Sequence, residues 1–195
     1  MQSDGKSAGC QHGRSRRGRP TDRSLAALRA ALLELLDRRP FEEITTRDIV
    51  TEAGTSSATF YRHYRTKADL LRAIASEEID LLVKMSSTLL VSSGSRGVAI
   101  AQVRRLHKQR HLWNLLLNGG AAAFVRESFV ARLSEEYAQN HPDLKTWLPN
   151  DLGILFSVTV VIEIVAWWLR QDEMPSVETV AEMVDRLAIR PPLAL

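Results

Sequence analysis

Apolar residues recur at helical spacing almost throughout this chain. Leu25, Leu28, Leu32, Leu35 and Leu36 form one stripe. That stripe predicts a first helix, opened by Pro20 and Thr21 and ended by Arg38-Arg39-Pro40. Ile49, Val50 and Ala53 make a shorter stripe, and Phe60 and Tyr64, four apart, share the face of another helix. Leu70, Leu71, Ile74, Ile79, Leu82 and Met85 carry a long fourth helix until the run Ser92-Ser-Gly-Ser-Arg-Gly97 breaks it. Further helices are expected near 98–109, 110–117 and 121–140, set apart by Gly119-Gly120 and His141-Pro142. Residues 152–169 are apolar nearly all round, and Val177, Val180, Ala181, Val184 and Leu187 stripe a last helix over about 176–188. The pattern predicts an all-α protein.

Residues 44–71, ITTRDIVTEAGTSSATFYRHYRTKADLL, hold the densest local signals. Thr45 is placed to N-cap a helix, with Asp48 three residues on as a short capping box. Ile44 and Ile49 have the spacing of a hydrophobic staple. Gly54 ends that helix where a left-handed residue is needed, and Thr55 or Ser56 caps the next. Phe60 and Tyr64 then face the core, which turns Ala58, Arg62 and Arg65 outward with Thr59 and Tyr61 at their flanks. Thr66 with Asp69 repeats the cap and starts the fourth helix. Two short helices about a glycine turn, with support on both sides, read as a helix-turn-helix. Small residues at the front of the outward face let the backbone approach base edges, and the Tyr, Arg and Lys behind them reach phosphates.

The same residues resemble the DNA-binding domain of the tetracycline-repressor (TetR) family of bacterial transcription regulators. The resemblance covers about 25–74: Thr-Thr-Arg at the second helix, Ala-Gly at the turn, Thr-Phe-Tyr-Arg-His-Tyr in the recognition helix, then Lys67 and Leu70-Leu71. Tyr64 stands where the family often has Phe, and Arg65-Thr66 replaces its usual loop residues. The resemblance implies that Thr46, Arg47, Ser57, Ala58, Thr59, Tyr61, Arg62, His63 and Lys67 touch DNA. It also implies a homodimeric regulator, usually a repressor, that reads a palindromic duplex operator and is released by a small-molecule effector.

Charge sharpens this picture. The net charge of +3 conceals an asymmetry: residues 1–67 carry 13 Lys and Arg against 8 Asp and Glu, the remainder 13 against 15. The basic end is the helix-turn-helix end, as phosphate binding requires. Arg14, Arg16, Arg17 and Arg19 form a short basic arm before the first helix, a candidate extra DNA contact. Residues 1–13 are polar and Gly/Ser-rich, so the arm reads as mobile. The single Cys10 allows no internal disulfide, and the N-terminus has no secretory apolar core. Both point to the bacterial cytoplasm.

The run LGILFSVTVVIEIVAWWL over 152–169 is long enough to raise a membrane span. Glu163 at its middle makes that costly, and a helix buried on several sides explains it better. By the resemblance this helix and the next build a four-helix dimer interface, with Val161, Glu163, Val165, Trp168, Val177, Val180 and Val184 as candidates. For an effector pocket the candidates are His107, His111, Trp113, Phe124, Trp147 and Trp167. His107 and His111 have a metal-ligand spacing, but nothing completes a set, so no metal or cofactor is expected. No phosphate loop, nucleophile elbow or metalloprotease motif occurs, so no catalytic residues are expected.

The expected organisation is therefore an arm over 1–20, a helix-turn-helix domain over 21–66 and a helical regulatory and dimerisation domain over 67–195. The alternative is a helical adaptor whose C-terminal domain holds a protein partner instead of a small ligand.

Overall fold

The computed structural model describes residues 20–140 and 147–193. The arginines of the basic arm lie outside these residues. Every regular element described is helical. Helix α1 spans Pro20–Leu36, and a single 3-10 turn, Phe41–Glu43, leads from it to α2, Thr46–Glu52, and α3, Ser57–His63. Then come α4, Lys67–Lys108, α5, Arg110–Asn118, α6, Ala122–Asn140, α7, Asn150–Trp168, and α8, Val177–Val184. A wide π turn, Asp185–Ile189, joins α8 to a last turn α9, Arg190–Leu193.

Helix α4 is two arms. Gly94 sits between them at φ 67° and ψ −179°, a conformation open essentially to glycine alone. Three residues on, the return is so close that a Cβ on Gly97 would collide with the Cβ of Ser93. The arms fold antiparallel, as their cross-links show. Gln102 Nε2 donates to Ser86 Oγ at 2.6 Å, near the tip. Further back, the Arg105 guanidinium donates to both carboxylate oxygens of Glu78, at 2.9 and 2.8 Å. The break expected over 92–97 is thus a hairpin with a clasp.

One cluster of buried side chains runs without interruption from Leu28 and Leu32 of α1, through Ile49 and Phe60, along Leu70, Ile74, Ile79 and Leu82 of α4, and on to Trp113, Val125, Val158 and Ile162. The DNA-binding and regulatory segments therefore share a core, and Arg29 of α1 pairs with Glu77 of α4 across its edge. A smaller cluster of Ala99, Val103, Trp168, Val180, Ala181 and Val184 seats α8 against α4 and α7.

Helix α7 is long and apolar enough to cross a membrane by length and composition. Its residues Gly153, Val158, Ile162, Val165, Ala166 and Trp168 are buried inside the domain. Leu152, Leu155, Phe156, Glu163 and Trp167 are turned outward on the other side. This split separates the expected interface residues. Val165, Trp168, Val180 and Val184 are buried within the single chain, and the Trp168 indole donates to Pro175 O at 2.8 Å. They cannot also face a second copy. The sequence shows only that α7 is apolar all round; which side the chain's own core claims is a tertiary fact.

Candidate nucleic-acid interface and internal cavity

The helix-turn-helix is fixed by local chemistry. Thr45 Oγ1 accepts from Asp48 N at 3.2 Å, and the Asp48 carboxylate accepts from Thr45 N at 2.8 Å, a complete capping box. These bonds, first from the Thr45 hydroxyl and then from its backbone, with Arg39 beside them, hold the Asp48 carboxyl below the usual carboxylate range. Ile44 and Ile49, the expected staple, are both buried. Helix α2 ends at Gly54 with φ 59°; Gly54 N donates to Thr51 O and Thr55 N to Val50 O, the two bonds of a Schellman motif. Ser56 caps α3, accepting from Thr59 N at 3.2 Å. Thr66 and Asp69 form a second capping box at the start of α4. Phe60 is fully buried and Tyr64 nearly so.

With Phe60 and Tyr64 inward, α3 turns Ser57, Ala58, Tyr61 and Arg62 to the outside. Tyr61 is 59% exposed and packs edge-on to Phe60, with ring centroids 5.4 Å apart, so its ring stands braced on the core. Thr59 is half-buried at the flank. Arg47 projects from the first turn of α2, with Thr46 half-buried beside it. His63 is half-buried near Tyr64, and its buried Nε2 has no hydrogen-bond partner among the described residues. The result is a convex face with small residues at the front of α3 and Tyr61, Arg62 and Arg47 around them.

Lys67 is placed differently from the rest. Its ammonium donates to Phe41 O at 2.7 Å, Glu42 O at 3.1 Å and Ile44 O at 2.7 Å, and lies 4.5 Å from the centroid of the Phe41 ring. All three protons go to the turn before α2. Here Lys67 ties the start of α4 to that turn instead of standing free for a phosphate. The sequence shows the cation but not the three carbonyls, which lie more than 20 residues away.

The regulatory half contains a cavity between both arms of α4, α6, α7 and the π turn. Leu82, Leu106, Phe129, Val158 and Ile162 supply apolar walls; Ser86, Gln102, Tyr137, Asn150 and Ser157 supply polar atoms. None of the six residues expected to line a pocket does so. Trp113 is core, and Phe124 packs against that core. His107 stacks on Trp168, with centroids 5.4 Å apart. His111 is exposed, Trp167 faces outward, and the exposed Trp147 donates its indole N–H to Pro191 O at 2.6 Å. Aromatic size is a poor guide because these six residues fill core or surface, while the cavity is walled mostly by aliphatic residues, with Phe129 and Tyr137 as its aromatic members.

The caps, the glycine turn and the outward row of α3 together make a helix-turn-helix. Residues 28–74 match the family model described as bacterial regulatory proteins, tetR family. A TetR regulator from Streptococcus agalactiae 2603V has a similar structure, with 21% identity and a TM-score of 0.57 over 86% of this chain and 94% of that one. A TetR-family regulator from Syntrophomonas wolfei gives 15% and 0.66 over 89% and 97%. FadR of Thermus thermophilus, a TetR-family repressor solved in complex with lauroyl-CoA, gives 18% and 0.61 over 88% and 96%. No curated protein matches the chain. Residues 28–74 carry the sequence pattern of the TetR family, and the chain as a whole has the fold of solved structures of that family.

Proposed function

We propose that the chain is a homodimeric repressor that holds a palindromic operator through α3 and releases it when a small molecule fills the cavity. The outward row of α3 is the observation that carries the DNA reading: Ser57 and Ala58 at the front, then Tyr61 and Arg62, beside Arg47 of α2. Small residues admit the backbone to the major groove, the guanidinium groups reach phosphates or a guanine edge, and the braced Tyr61 has a fixed reach. Thr46, Thr59 and His63 sit at the rim of this surface, and to the arginines at 14, 16, 17 and 19 we assign a further contact with the duplex. Lys67 acts by positioning α2 and α4.

Two protomers are needed to read two half-sites. The outward face of α7 and the exposed side of the π turn, with Leu152, Leu155, Phe156, Glu163, Trp167 and Leu187, are the surface we assign to the partner copy. Val177 is half-buried and packs on the smaller core cluster, and Val161, expected at the interface, instead lines the cavity on the inner side of α7. Glu163 is held by Arg126 at 3.0 Å, so it enters that interface as a paired charge. Repression follows from occupying the promoter. Release follows if a ligand in the cavity changes the tilt of α4, which begins at the DNA-binding segment. The cavity also removes the one feature that would have favoured a protein-binding adaptor, a regulatory half with no room for a small molecule. The FadR complex is a precedent for ligand binding on this fold. We place the protein in the bacterial cytoplasm, acting as a regulator and not as an enzyme.

Selection of duplexes from a random library by the purified protein tests this. An inverted repeat should be enriched, and Tyr61→Ala with Arg62→Ala should abolish the enrichment while the protein stays folded. Recovery of the same duplexes by the double variant would overturn the assignment of α3.

A further inference from the structure

The cavity's chemistry narrows the effector, on the regulatory reading given above. Among the described residues lining the cavity none is Asp, Glu, Lys, Arg or His. An ion entering would lose water and meet no counter-charge from these residues. The adjoining groove, which shares Val83, holds Asp80, Glu135 and Glu136 against Lys84 and Arg132, and Arg132 is already paired with Asp80. That rim is weighted against an anion. The phenol of Tyr137 is pushed up from its ordinary value by burial and by Glu136, so it stays neutral and supplies no counter-charge to a cation.

The polar atoms on the wall are not equally available. Ser86 Oγ donates to Leu82 O at 3.0 Å, and Ser157 Oγ donates to Ala188 O at 2.8 Å. Gln102 Nε2 donates to Ser86 Oγ and, at 3.3 Å, to Leu82 O. A backbone carbonyl only accepts, so the nitrogen of Gln102 must be on that side. Its carbonyl oxygen is then the end left over, with no donor from a described residue.

We propose that the cavity takes an uncharged, predominantly hydrophobic small molecule carrying a hydrogen-bond donor, and that Gln102 reads that donor. The position suits a sensor. Gln102 lies on the return arm of α4 and bonds to the first arm, and the first arm begins at Lys67, clamped to the turn before α2. A ligand at Gln102 therefore touches the joint between the arms and, through it, the DNA-binding end.

The test uses the full chain without DNA, so its outcome is separate from that of operator binding. Nile red, a neutral hydrophobic dye, is bound and then displaced by n-octanol, octyl methyl ether, octanoate or octylammonium at neutral pH. n-Octanol should compete roughly tenfold or more better than the ether, which lacks a donor, and better than either ion by at least as much. Gln102→Leu should bring alcohol and ether to equal strength while both still compete. Gln102→Met serves if the leucine variant does not fold. Octanoate or octylammonium competing as well as the alcohol would overturn the neutral-ligand assignment. An alcohol preference that survives at Gln102→Leu or Gln102→Met would overturn the role of Gln102. Failure of all four to compete would overturn the site.

Discussion

The two ends of this molecule are built from the same element and held by different physics. In the helix-turn-helix segment both ends of α2 and the starts of α3 and α4 are written locally: Thr45 with Asp48, Gly54, Ser56, and Thr66 with Asp69 all act within three residues of their partners. In the regulatory segment α5 has no side-chain N-cap bond and α7 starts behind Pro149 without one. What places those helices is burial and long-range clasps: Arg105 on Glu78, Gln102 on Ser86, Arg126 on Glu163. Local signals specify one conformation whatever the neighbours do. Long-range ones leave open which face of an apolar helix is inside.

This contrast predicts different failures. The largest effects belong to α7. Trp168→Ala empties a site that is 0% exposed and should cost about 3–5 kcal/mol in urea unfolding. Phe156→Glu, on the outward face of the same helix, should leave the fold nearly as stable but split the dimer. Operator affinity should then drop roughly 10²-fold or more, because the second half-site no longer adds to the first. If Trp168→Ala dissociates a still-stable chain, the inward assignment is wrong.

Next come two cations of the DNA-binding end. Lys67→Met loses three charge-assisted bonds and should destabilise the chain by about 1–3 kcal/mol, measured by thermal unfolding without DNA. Arg62→Ala should leave the melting curve in place and lower the slope of log affinity against log salt by about one. An exchange of these two results would return Lys67 to the phosphates.

Glycine substitutions probe the joints. Gly54→Ala forces a Cβ into φ 59° and should cost about 1–2 kcal/mol. Gly94→Ala, in the sparser region at φ 67° and ψ −179°, should cost about 1–3 kcal/mol, and should alter effector response more than operator affinity. Equal loss of both functions would mean that the hairpin tip does not separate them.

The smallest effect is acid sensitivity. The carboxyl of Asp48 is depressed in the folded chain, so its contribution is fully present above the ordinary carboxylate pKa and is lost as pH falls through the folded value. Thr45→Val removes the bond from the threonine hydroxyl to that carboxylate. The acid limb of a stability-pH profile should therefore be shallower for the variant.

How much of this was readable in advance follows the same division. The caps, the staple, the glycine turn and the inward pair Phe60 and Tyr64 were all legible, because each rests on spacings of three to five residues. The break over 92–97 was legible as composition, though its hairpin geometry was not. Lys67 was read as a free cation because carbonyls from a distant turn leave no mark in the sequence. A pocket is expected from the sequence but its lining is not legible, because it is walled mostly by aliphatic side chains, such as Leu82, Val98 and Ile162, whose helical spacing looks the same whether they pack or line a space.

Sedimentation of the full chain with a duplex selected from the random library tests the central claim most directly. Two protomers per inverted repeat, with Phe156→Glu sedimenting as a folded monomer that no longer holds the duplex, is the predicted result. A monomeric wild-type chain that binds the same duplex tightly would contradict it.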